Sequence, residues 1–259
     1  MRTDVMLTRL IKSVWNLAVT ITLWAYYIMG FVLIFSPFYL YAFFFSSQRE
    51  EAFQRLNWRL LQSFFSFMRT IIPRTKWRIS DEVSSIRSSI IIANHLSFLD
   101  PILFVSIFEK QKTIVKQDYS GVPVFGWILR TSGYMFSKAD NLFTEDTLIK
   151  IKNMKSYLSN GGNLFIFPEG TRSRDGRIGP FGKGAFRIAK LCRAPIRVVS
   201  IRNTDKLYPP DSLLFDACTR NVVEVELVGS MGPDYESDTF SLSGLMMETH
   251  ALIENRKTN

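Results

Sequence analysis

The chain has 259 residues, 47% of them hydrophobic, and carries 32 Lys and Arg against 23 Asp and Glu for a formal charge of +9. That length holds one sizeable domain with a small appendage, and the charge favours an anionic partner. Two cysteines, Cys192 and Cys218, and two histidines, His95 and His250, give neither a zinc pattern nor a disulfide framework. No zinc-finger spacing, RNP1-like run or basic heptad region speaks for nucleic acid.

The first element is an apolar tract. From Ser13 to Gln48 no residue is charged, which is longer than the ~20 residues of one membrane span and short of two spans with a turn. Gly30 lies near its middle, and Ser36-Pro37 is expected to break a single long helix. Arg2, Arg9 and Lys12 precede the tract and Arg49, Arg55 and Arg59 follow it. With positive charge marking the cytoplasmic side, both flanks belong there. A re-entrant or interfacial helical hairpin meets that condition, and a single span is its competitor. The stretch is too long for a signal peptide and lacks a clear cleavage site.

Glu50 to Ile72 follows with Phe53, Leu56, Leu60, Leu61, Phe64, Phe65 and Met68 at helical spacing. This is an amphipathic helix that packs on the core, lies at a bilayer surface, or both. Pro73 ends it, so residues 1–72 are expected to form the membrane anchor and amphipathic helices, and 73–259 an α/β domain. Short β-rich runs then appear at Trp77–Ser80, Ser89–Ala93, Thr113–Val115, Tyr134–Ser137, Asn163–Phe167, Ile196–Ile201 and Val222–Val228. Helical segments lie between several of them, at Ile102–Glu109, Leu142–Leu158 and Phe186–Leu191. The alternation predicts an α/β fold: a mixed, largely parallel sheet flanked by helices, preceded by the N-terminal anchoring segment. Chemistry in such folds gathers in the loops beyond strand ends.

Two of those loops carry chemistry. Asn94-His95-Leu96-Ser97-Phe98-Leu99-Asp100 leaves the apolar run Ser89–Ala93. His95 and Asp100, five apart, would not share a face of a regular helix and meet only through a turn. Asp100-Pro101 also fits a helix start, with Asp as cap and Pro at the first helical position. As a pair, they are a base and its orienting carboxylate: imidazole takes the proton of an attacking hydroxyl, and the carboxylate fixes the tautomer. The second loop, Phe167-Pro168-Glu169-Gly170-Thr171-Arg172-Ser173, leaves another apolar run, Asn163–Phe167. Arg172 supplies a planar fork suited to phosphate, and Thr171 and the backbone near Gly170 add donors. Arg174, Arg177 and Lys183 enlarge the positive field, although a solvated turn with surface arginines has the same composition. The Gly-rich stretch 176–184 is not a nucleotide-binding loop, because its spacing is off by one and Gly184 stands where Ser or Thr would hold magnesium. No G-x-S-x-G elbow marks a serine lipase.

Together the NHxxxxD block at Asn94–Asp100 and the FPEGTRS block at Phe167–Ser173 resemble the glycerolipid acyltransferases, in particular the bacterial 1-acylglycerol-3-phosphate acyltransferase branch. The resemblance runs through most of Ile90–Ile201. It implies His95 as general base, Asp100 as its partner, and Glu169, Gly170, Thr171 and Arg172 as residues that bind the acceptor's phosphate and shape the site. A GxxFIxR block maps to Gly133–Lys138, where Lys138 keeps the charge of the usual Arg but not its fork. In a later block Val198 stands where a second Pro is usual. The resemblance further implies acyl-CoA or acyl carrier protein as donor, a lysophospholipid, foremost lysophosphatidic acid, as acceptor, and no metal or bound cofactor. The net charge, the apolar tract and its basic flanks lead to the expectation of an anionic membrane surface, with the active site facing the cytoplasm. Another lysolipid acceptor, or a non-catalytic lipid-binding protein on the same fold, are the competing expectations.

Overall fold

The structure is a computed structural model and describes residues 2–137, 145–173 and 176–258. Its strands are β1 (Thr75–Ile79), β2 (Ile90–Ala93), β3 (Gln111–Lys116), β4 (Met135–Ser137), β5 (Asn163–Ile166), β6 (Ile196–Arg202) and β7 (Asn221–Met231). Its helices are α1 (Arg2–Met29), α2 (Ser36–Phe45), α3 (Arg49–Ile71), α4 (Asp81–Ser84), α5 (Leu99–Ile107), α6 (Phe125–Thr131), α7 (Glu145–Ser159), α8 (Gly184–Cys192), α9 (Thr204–Leu207) and α10 (Leu242–Thr258). The strands form one sheet in the order β1-β7-β6-β2-β5-β3-β4. All neighbours pair in parallel except β6 with β7, so β1 and β7 run against the other five. The mixed, largely parallel sheet expected from the alternating pattern is therefore the one observed.

The central strands explain the layering. β2 reads Ile-Ile-Ile-Ala and β5 Asn-Leu-Phe-Ile, with every residue buried, as strands covered on both faces require. Successive side chains point to opposite faces. Ile91, Ala93 and Phe165 pack with Leu23, Phe64 and Phe104 from α1, α3 and α5. Ile90, Ile92, Leu164 and Ile166 pack with Tyr157, Phe186 and Ile253 from α7, α8 and α10. The result is three layers, with the N-terminal helices sharing the core of one face.

The N-terminal tract differs from expectation at its middle. It does not turn at Gly30 or at Ser36-Pro37; α1 continues through a π-helical turn, Gly30–Phe35, directly into α2. The wider turn accommodates Pro37, whose missing N–H and ring would otherwise clash with the regular hydrogen-bond ladder. The chain reverses later, at Ser46–Gln48, and α3 runs back along the long helix. Tyr39 meets Phe53, Trp24 and Tyr27 meet Phe64, and Tyr26 stacks on Phe67. Met6–Phe45 is long and apolar enough to cross a membrane, and its outer face exposes Leu10, Ile21, Val32, Leu33, Leu40, Phe44 and Phe45.

α3 buries two amides as well as its apolar stripe. Gln54 donates to the Ser132 carbonyl at 2.9 Å and accepts from the Tyr157 hydroxyl at 2.8 Å. Asn57 donates to Ser132 Oγ at 2.9 Å and accepts from the Tyr39 hydroxyl. These bonds tie the helical pair to α6 and α7. Gln54→Leu leaves a buried carbonyl and a buried hydroxyl without those partners, and is expected to lower unfolding free energy by about 1–3 kcal/mol in urea titrations.

Candidate active site

The site forms where β2 and β5 end side by side. Asn94, the first residue after β2, turns its buried amide toward β6: Nδ2 donates to the Ile201 carbonyl and Oδ1 accepts from the Ile201 N–H, both at 2.8 Å. The clamp fixes the strand exit from which His95 projects. His95 Nδ1 lies 3.0 Å from Asp100 Oδ2, with the histidine side chain 16% exposed and the carboxylate fully buried. The same oxygen accepts the N–H groups of Leu96 and Ser97 at 2.6 and 2.7 Å, and Oδ1 accepts the Thr204 hydroxyl at 2.6 Å. A carboxylate so placed holds the proton of a neutral ring on Nδ1 and leaves the Nε2 lone pair for a substrate.

The helix-cap expectation for Asp100 is corrected. α5 begins at Leu99, so Asp100 lies in its first turn, and its side chain reaches back to the loop rather than forward to the helix. The buried donors Leu96 N–H, Ser97 N–H and Thr204 O–H hold it there.

The second loop is bound to the first through the backbone of His95. Glu169 Oε1 accepts the His95 N–H at 2.8 Å, and the Ser173 N–H donates to the His95 carbonyl at 2.8 Å. Gly170, Thr171 and Arg172 lie between these two anchor points and are held as a bulge beside the histidine. Gly170 has φ +68° and its N–H donates to the Phe167 carbonyl, a turn that a side chain would strain. Phe167 stacks on the imidazole at 4.5 Å between centroids. Arg172 is half-buried, whereas Thr171, Arg177 and Lys183 are exposed.

Glu169 has a different task from the phosphate contact expected of it. Its second oxygen accepts the Gly179 N–H at 2.9 Å, so both oxygens serve main-chain donors, and a carboxylate would repel phosphate. It joins three loops. Burial raises its carboxyl above the ordinary value, opposed by the Gly179 and His95 N–H groups. A group raised in this way contributes stability that is full below the unfolded-state pKa and is lost as pH rises through the folded-state value. Wild-type stability relative to Glu169→Gln is therefore expected to decline as pH rises above the ordinary glutamate value of about 4.3, as paired urea titrations would show. At neutral pH the glutamine presents an NH2 where a second acceptor is needed, and kcat/KM is expected to fall roughly 10- to 100-fold from loop misplacement.

Lys138 and Arg174 lie outside the described residues. Val198 is an interior residue of β6, paired with Ile92 on one side and Gly229 on the other, where a proline would remove a ladder N–H. Among the described residues no cluster of three or more His, Cys, Asp or Glu is arranged to hold a metal. Thr204, over a hundred positions from its partner, is the site residue for which the sequence offers no local signal. Asn94 and Phe167 fall within the two recognised blocks, but their roles become visible only in three dimensions.

Residues 74–202 match the family model described as Acyltransferase. A chloroplastic 1-acyl-sn-glycerol-3-phosphate acyltransferase of Brassica napus is 34% identical over 150 residues, covering 57% of this chain and 43% of that one. The Saccharomyces cerevisiae 1-acyl-sn-glycerol-3-phosphate acyltransferase is 32% identical over 165 residues, covering 62% of this chain and 54% of that one. The matches thus span about two-fifths to about half the length of these relatives. A crystal structure of the 1-acyl-sn-glycerophosphate acyltransferase from Thermotoga maritima superposes with a TM-score of 0.69 at 22% identity, covering 93% of this chain and 95% of that one, a likeness of fold.

Proposed function

This chain belongs to the acyltransferase family, and on that premise we propose that it moves a fatty acyl group from a thioester donor, acyl-CoA or acyl carrier protein, to the free hydroxyl of lysophosphatidic acid. The observation that carries the reading is the His95–Asp100 pair, a half-sheltered imidazole bonded at 3.0 Å to a buried carboxylate. His95 Nε2 accepts the proton of the acceptor hydroxyl as its oxygen attacks the acyl carbonyl carbon. The C–O bond forms, the tetrahedral intermediate collapses, and the C–S bond breaks. The same proton passes from the imidazolium to the leaving thiolate. Asp100 holds the ring and stabilises its charged form. Arg172, with Thr171 on the turn that Gly170 makes, receives the acceptor's phosphate, and Lys138 adds positive charge. Glu169 sets the distance between the two loops.

The protein works on the cytoplasmic face of an anionic membrane. The helix from Arg2 to Phe45 is about 65 Å long at 1.5 Å per residue, twice the ~30 Å hydrocarbon core. Along that length it is bound to the body: Asn16 accepts from the Ala217 N–H, Thr20 from the Phe215 N–H, Trp24 meets Phe98, and Phe43 meets Trp127. Such a helix lies on a bilayer with its apolar face down instead of crossing it. Residues 1–72 are the anchor and 73–259 the catalytic domain, joined through a shared core.

The Lys138 substitution favours one alternative acceptor class, other lysophosphoglycerides, because an ammonium recognises phosphate without bidentate geometry. Incubation with labelled donor and an equimolar lysolipid panel separates the two. Lysophosphatidic acid is expected to be acylated in preference, and preference for another headgroup would overturn the acceptor assignment.

A further inference from the structure

A second apolar surface lies outside the long helix. β3 runs parallel to β2 and β5, so the segment that follows it leaves the sheet at the edge that holds His95 and Glu169. That segment, Gln117 to Phe125, exposes Tyr119, Val122, Val124 and Phe125 at 42%, 43%, 54% and 42%. Four large apolar side chains exposed within seven residues form a patch of the kind that marks protein or membrane interaction sites. They are also held in place. The Phe125 N–H donates to the Pro123 carbonyl and closes a γ-turn on Val124, whose φ of +61° and ψ of −56° are strained for a β-branched residue. Arg130 donates to the Ser120 carbonyl, and Gly126 lies so close to Ser120 that a Cβ would not fit.

The loop is continuous with the apolar face of α2. Trp127, two residues beyond Phe125, packs edge-on against Phe43 of α2 and Phe53 of α3, beside the exposed Phe44 and Phe45. Lys116 and Arg130 are exposed at either end of the segment, with Asp118 the one acid between them. Apolar side chains at the tip with cations behind them match the profile of a bilayer interface carrying anionic headgroups.

We propose that the loop Tyr119–Phe125 is a second membrane-insertion element, which dips into the same leaflet as the long helix and sets the tilt of the active-site edge over the lipid. With the helix alone the body could rock about one axis; a contact displaced from that axis fixes the mouth of the site against the surface from which the lysolipid must enter. The proposal rests on the reading that the long helix lies on a membrane, and the test separates the two.

An environment-sensitive fluorophore (NBD) is attached to single cysteines at Val122→Cys or, independently, Phe125→Cys, in full-length protein carrying Cys218→Ser. Cys192 is buried and its thiol is pushed up to about 11, so it stays unlabelled at neutral pH. Ile21→Cys on the exposed helix face and Ser85→Cys, beyond β1 at the opposite sheet edge, serve as controls. On addition of phosphatidylcholine vesicles containing phosphatidylglycerol, emission from positions 122 and 125 is expected to shift to the blue and be quenched by doxyl-labelled lipid, as at position 21, while position 85 stays unchanged. If position 21 responds and both loop positions do not, the loop proposal is overturned and the helix reading stands. If none responds, both fall. A response at the loop to acyl carrier protein but not to vesicles would also overturn the proposal, by assigning the surface to a protein partner.

Discussion

His95→Ala is expected to lower kcat for acyl transfer by about a thousandfold while leaving the fold and vesicle binding unchanged, the loss appropriate to removal of a general base. A protonated hydroxyl is a weak nucleophile, and a thioester carbonyl alone does not compensate. The group that takes the proton must stand at the reacting oxygen with a free lone pair. His95 meets this condition through Nε2, because Asp100 engages Nδ1. The imidazole is 16% exposed on its side chain and Phe167 stacks on it at 4.5 Å, so truncation to alanine removes a site wall and little core. Circular dichroism and the urea midpoint should match wild type. Equal losses in kcat and kcat/KM mark an interaction made only in the transition state. A rise in KM with kcat unchanged would instead make His95 a binding residue.

Asp100→Ala is expected to cost more than activity. The carboxylate is fully buried and receives the Leu96 and Ser97 N–H groups, the Thr204 hydroxyl and the His95 ring. Each buried donor left unsatisfied costs about 1–3 kcal/mol, and relaxation shares part of that among them. A net loss of about 3–5 kcal/mol follows, or a melting temperature lower by roughly 10 °C for a chain of this size. Asp100→Asn should divide the two roles. Its amide oxygen still accepts from part of the donor set, so stability falls less, but the charge that stabilises the imidazolium is gone. Activity should fall by about two orders of magnitude or more. Thr204→Val removes a single donor and should produce a smaller loss of both, with Thr204→Ser near wild type.

The sheet was legible in the sequence for a physical reason. β2 and β5 are covered on both faces, so Ile90–Ala93 and Leu164–Ile166 read as short continuous apolar runs, while β6 keeps Val198, Val199 and Ile201 buried around the polar Arg197 and Ser200. The pair of functional loops was legible because each sits at the exit of such a run. The continuity of the long helix is not legible at Gly30 and Pro37, where local propensity predicts a break; a π turn absorbs the proline, and packing of Tyr39 and Leu23 against α3 and the core sustains the helix on either side. The family resemblance implies Glu169 as part of a phosphate site, yet its partners are the backbone N–H groups of Gly179, ten residues on, and of His95, seventy-four residues back, which no local pattern encodes. Thr204 was invisible for the same reason. Fold follows from periodicity, whereas the exact charge and hydrogen-bond roles in a site are set by contacts of high sequence separation.

The role of His95 as the base for transfer to lipid is tested most directly by following label from an acyl thioester into lipid. Full-length protein and its His95→Ala variant, matched for folding and vesicle binding, are incubated with labelled acyl-CoA or acyl carrier protein and lysophosphatidic acid in anionic vesicles. Wild type is expected to form labelled phosphatidic acid, and the variant none above background. Equal product from both proteins, or label recovered from wild type only as free fatty acid, would contradict the assignment of His95 as the base for transfer to a lipid hydroxyl.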